Sequence, residues 1–149
     1  MASERTWVLV ADGSRARILQ KDEGNRKQLR TIEGMTFSHE LPKTSEIVRD
    51  RLPRTFESVG DTRHAVTTEV DPHREEKRKF ASELADALDA ELVKKSFDRL
   101  VVVAPAQMLG DLRSALSPAV KERTTADVVL DLTKVPDIEI ASHLNNFII

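Results

Sequence analysis

Two acidic residues stand at the ends of apolar runs, where carboxylates can meet. Asp12 follows Trp7–Ala11, and Asp131 lies in "ADVVLDLT" (126–133). If the two strands are neighbours, these carboxylates face each other and hold Mg²⁺, the chemistry of a nuclease or phosphoesterase. That chemistry requires them within about 8 Å of each other, because paired ions sit only ~3.5–4 Å apart. A third carboxylate is not evident. Glu75 and Glu76 fall at a helix start, where the helix dipole accounts for them. The plainer assignment of Asp12 and Asp131 is a turn or cap.

Cations cluster in two places. Arg15 and Arg17 are spaced i, i+2, which puts them on one face of a strand. There they clamp a phosphate or form a solvated face paired with Asp12. His73, Arg74, Lys77 and Arg78 crowd the first two turns of a long helix, against the dipole, and suit an anion or RNA. His64 and His73 are candidates for a general base or a phosphate donor. His39 and His143 stand alone and read as structural or exposed. No HExxH or similar spacing exists, so no metal site is expected from histidine. The five glycines (13, 24, 34, 60 and 110) are never adjacent, and neither GxGxxG, a P-loop nor GxSxG is present. No cofactor is expected.

These residues depend on the elements that carry them. "TWVLVA" (6–11) reads as a strand buried on both faces, and "ARILQKD" (16–22) as its antiparallel partner across an Asp-Gly turn. A third strand spans about 28–35, with poorly sorted faces. Residues 38–70 carry two prolines, many charges and no sustained period, and read as a long mobile loop. "DPHREEKRKFASELADALDAELVKKSF" (71–97) is the clearest helix: Asp71 caps it, Pro72 opens it, and Phe80, Leu84, Leu88 and Leu92 form a stripe. "RLVVVAP" (99–105) is a second buried strand and 106–116 a helix. "PAVKER" adds a turn, 126–133 is a third buried strand, and a last helix runs from Pro136 to about Asn145. The order β-β-β, loop, α-β-α-β-α predicts a single α/β domain over 1–149. Its mixed sheet is antiparallel in the first half and parallel in the second, covered by helices, in the ribonuclease H-like manner.

Composition narrows the partners. The 149 residues are 40% hydrophobic but only 4% aromatic, which disfavours a stacking platform for single-stranded nucleic acid. Net charge is −2, with 16 basic against 14 acidic residues over 1–79 and 7 against 11 over 80–149. A local basic patch is therefore allowed and a globally cationic surface is not. The chain has no cysteine, which excludes disulfides, thiolate nucleophiles and cysteine metal sites. With no apolar leader in "MASERTW" and no run near the roughly 20 apolar residues of a membrane span, a cytoplasmic protein without membrane partners is expected.

The stretches "WVLVADGSRARIL", "DPHREEKRKFASELADAL", "RLVVVAPAQMLGDLRSAL" and "VVLDLTKVP" together resemble the bacterial host attachment protein family. The resemblance runs from about residue 6 to 145 and is most specific in "ADGSRARI" and "APAQMLGDLR". The same pattern resembles the middle domain of archaeal and eukaryotic peptide-chain release factors. In those factors the loop before the long helix carries a Gly-Gly-Gln triplet that reaches the peptidyl-tRNA ester. The matching segment here, 38–72, has Gly60 but no Gly-Gly pair and no glutamine; the glutamines are Gln20, Gln28 and Gln107. The resemblance therefore implies the fold without the hydrolysis motif. It implies a binding module for RNA or the ribosome, with the 38–72 loop, Arg74, Lys77 and Arg78 as contact surface. Two other readings stand beside it: a Mg²⁺-dependent phosphoesterase using Asp12 and Asp131, and a protein-interaction factor in attachment.

Overall fold

The computed structural model describes residues 5–22, 25–39 and 72–144. Among these residues five strands form one sheet: β1 Thr6–Ala11, β2 Arg15–Asp22, β3 Asn25–Ser38, β4 Arg99–Ala104 and β5 Thr124–Val129. Four helices among the described residues accompany them: α1 Arg74–Val93, α2 Ala106–Ala115, α3 Pro118–Arg123 and α4 Asp137–His143. The sheet order is β3-β2-β1-β4-β5. β1–β2 and β2–β3 are antiparallel, while β1–β4 and β4–β5 are parallel. The mixed α/β sheet expected from the sequence is the one observed.

β1 is central and buried at all six positions, because both sheet faces are covered. On one face Trp7, Leu9, Ile18, Leu100 and Val102 pack with Phe80, Leu84 and Leu88 of α1, Leu109 and Leu112 of α2 and Val120 of α3. Trp7 also meets Phe97, with ring centroids 4.9 Å apart. On the other face Val8, Val10, Leu19, Val101, Val103 and Val128 pack with Leu132, Ile140 and Leu144.

Three elements depart from expectation. β3 is longer than 28–35 and irregular: Thr36 faces Arg17 and Thr31 faces Leu19, so three extra residues of β3 bulge between these pairs. Gly34, at φ +83°, lies in the bulge and explains the poorly sorted faces. α1 begins at Arg74, with His73 at the cap position but its side chain not capping the helix amides. Pro72 therefore sits in the preceding turn, not in the helix, and Asp71 lies outside the described residues. β5 ends at Val129 and only Val128 is buried, because β5 lies at the sheet edge; it is not a fully buried strand.

Candidate functional site

Chain direction gathers the candidate residues at one end of the sheet, beyond the carboxyl ends of β1, β4 and β5. In open α/β sheets this is where ligands bind, beside the point at which strand order reverses. Here that point is β1, from which the chain goes first to β2 and β3 and later to β4.

The turn after β1 is built by Asp12. Its Oδ1 accepts from the amides of Ser14 and Arg15, both at 2.8 Å, and its own amide donates to the Arg15 carbonyl. This local bonding is why Asp-Gly-Ser makes the turn. Asp12 Oδ2 is left to accept from the Thr133 hydroxyl at 3.0 Å. The same hydroxyl lies 2.7 Å from Asp131 Oδ1, which also accepts from the Thr133 amide. Both carboxylates thus converge on one hydroxyl, with these oxygens within about 6 Å of each other given two ordinary hydrogen bonds. One hydroxyl proton serves only one of them at a time. Among the described residues no group of three or more His, Cys, Asp or Glu is placed to hold a metal.

The two strand arginines divide sharply. Arg17 turns to the α4 side. Its Nε donates to Asp137 Oδ1 at 3.0 Å, its Nη1 to the Thr133 carbonyl at 2.8 Å and its Nη2 to the Val135 carbonyl. Asp137 Oδ2 accepts from both the hydroxyl and the amide of Thr31 at 2.7 and 2.9 Å. Burial alone raises the Asp137 carboxyl, but the Thr31 bonds and the Arg17 guanidinium outweigh it and hold the group below its ordinary range. Arg17 therefore clamps residues 133–137 to β2 and β3. Arg15 is exposed, and among the described residues no carboxylate meets its guanidinium.

The basic start of α1 is also divided. Arg74 makes a two-pronged pair with Asp111 of α2, both contacts at 2.6 Å. The stem of Lys77 lies over Gly13, where an added Cβ would stand 3.0 Å from three of its carbons. That close approach joins the start of α1 to the β1–β2 turn. Arg78 is exposed, and His73 is half-buried beside the helix start. His64 and most of the 38–72 segment lie outside the described residues.

Three participants are not evident from the sequence. Thr133 and Asp137 have the roles above. His39, expected to stand alone, is held by α1: Nε2 is 2.8 Å from Glu76 Oε1 and Nδ1 is 3.3 Å from Glu83 Oε1. Its ring lies 5.9 Å from that of Phe80. Glu76, Phe80 and Glu83 share a face at helical spacing, a visible signal, but nothing local names His39 as their partner.

No curated protein matches the chain. The crystal structure of the archaeal translation termination factor aRF1 is similar in fold, with TM-score 0.50 and 11% sequence identity, over 97% of this chain and 35% of that one. The chain thus spans about a third of the length of that factor. At this identity the likeness speaks for the fold. No helix among the described residues is long and apolar enough to cross a membrane. The family model described as "protein required for attachment to host cells" matches residues 7–144, and the chain belongs to that family.

Proposed function

We propose that the protein is a binding module for RNA or for the ribosome, without a hydrolytic role of its own. The observation that supports this most is the seating of Lys77 on Gly13. It brings the exposed Arg15 and the exposed Arg78 to the same end of a fold similar to that of a translation termination factor. Phosphate contacts from exposed cations position a polyanion without reading its bases. The missing Gly-Gly-Gln triplet argues against ester hydrolysis. An attachment role of the kind the family description names is then reached indirectly.

The test is filter binding of single-stranded RNA and co-sedimentation with ribosomes across a salt series. Affinity is expected to fall steeply with salt, and Arg15→Gln with Arg78→Gln to lower the log–log slope by about 0.7 each. Absence of binding, or binding indifferent to salt, rejects the module.

A second reading has one specific observation in its favour. Asp12 and Asp131 do converge, on Thr133. A Mg²⁺-dependent phosphoesterase would release phosphate from a model ester only with the metal, and Asp12→Asn or Asp131→Asn would abolish the release. Equal rates in the variants discard this reading.

A further inference from the structure

Beside the convergence of Asp12 and Asp131 lies a cavity of about 290 Å³ on the α4 side of the sheet. Its walls include Val10, Arg15, Arg17, Thr36, Ser38 and Thr133. The register explains the grouping. Val10 is opposite Arg17, Arg17 is opposite Thr36, and Arg15 is opposite Ser38, so alternation brings these side chains to one face.

The chemistry of the walls is uneven. The lining is mainly apolar, and Val10 beneath it has no exposed surface. Arg17 is occupied by Asp137 and two carbonyls and serves as a wall. No carboxylate meets the Arg15 guanidinium among the described residues. Ser38 and Thr36 set hydroxyls beside it, and each can donate to an oxyanion. At the far wall the Thr133 hydroxyl is already shared by Asp12 and Asp131, whose charges lie behind it. A bound anionic group is drawn to Arg15, and an apolar body is left against the apolar lining. The volume lies at the lower end of that of small-molecule pockets, which sets the size of the ligand at one ring or a short branched chain.

We propose that this cavity binds a small organic oxyanion, a carboxylate or phosphate on a compact apolar body, with the anionic group on Arg15 and the Ser38 and Thr36 hydroxyls. The site shares Arg15 with the proposed polyanion surface and is otherwise separate from it. It demands an apolar body, and it can exist whether or not RNA binds.

The test is titration of the ¹⁵N-labelled full chain with benzoate and, separately, with phenyl phosphate. Inorganic phosphate and benzyl alcohol serve as the two halves of the ligand. Saturable amide shifts are expected at Arg15, Thr36, Ser38 and Thr133, with a Kd of about 1 mM for a ligand of this size. The tighter of the two probes identifies the oxyanion. Arg15→Gln is expected to weaken binding about tenfold, the loss of one charge-assisted contact. Arg15 is exposed, so this variant keeps the fold, and an unchanged amide spectrum in the absence of probe checks that. Arg15→Lys recovers part of the affinity. The proposal is overturned by shifts that do not saturate, by equal affinity in Arg15→Gln, or by benzyl alcohol or inorganic phosphate binding as tightly as the probes.

Discussion

His39 is the residue whose ionisation bears most directly on the structure. Carboxylates approach both of its ring nitrogens, and only the doubly protonated imidazolium donates to both. The hydrogen bond to Glu76, against a desolvation cost and with help from Glu83, raises its pKa above the ordinary 6.5. Glu76 in turn is held below its ordinary range, first by His39 and also by Lys79. The raised His39 value means that its stabilisation is complete below pH 6.5 and is lost as pH rises through the folded value. For Glu76, stabilisation is present above its unfolded value and lost as pH falls through the lowered one. The strut between the end of β3 and α1 is therefore strongest between those limits. The expected outcome is a His39 ring titration by NMR with its midpoint above 6.5, and a urea midpoint that declines with pH through that value. In His39→Gln that part of the decline disappears. An ordinary midpoint, or an unchanged pH profile in the variant, contradicts the assignment.

At the scale of elements, β3 shows how local chemistry shapes the sheet. Three residues more than its partner must fit between two paired positions, and Gly34 takes them round at φ +83° with nothing within 4 Å of an added Cβ. Space is thus no obstacle to a side chain there, but backbone conformation is. Gly34→Ala is expected to cost about 1–2 kcal/mol through the left-handed strain alone, read as a lower denaturant midpoint at constant slope. Gly34→Asn is expected to cost less. Elements of this sheet that follow one period were legible in the sequence. β1, β4 and the Phe80–Leu84–Leu88 stripe stand where apolar patterning puts them. Those shaped by partners were not: the sequence cannot show that β5 lies at an edge, and alternation is silent about a bulge. The site divides in the same way. Asp12 and Asp131 mark themselves by their position after apolar runs, whereas the fate of Arg17 is set by Asp137, 120 residues away.

At the scale of the whole molecule, the described residues form two cores, one on each face of the sheet, and they are unequal. The first is closed by a 20-residue helix with two shorter ones beside it. The second depends on Leu132, Ile140 and Leu144, around a helix of only seven residues. An isolated helix shorter than about 12 residues is marginal in water, so α4 exists because it is packed and because Asp137 fastens its first turn to Arg17 and Thr31. Ile140 has no exposed surface, as has Leu88 of α1. If both layers belong to one cooperative unit, Ile140→Ala and Leu88→Ala each cost about 2–5 kcal/mol in a single unfolding transition. If α4 only decorates the sheet, Ile140→Ala changes stability by less than about 0.5 kcal/mol or produces a separate early transition. The first outcome is expected, because removing Ile140 opens a void against the valines of β1 and β4. The same loss loosens the segment that carries Asp131 and Thr133. Amide exchange at Thr133 should therefore speed up in Ile140→Ala more than in Leu88→Ala, when the two are compared at equal global stability.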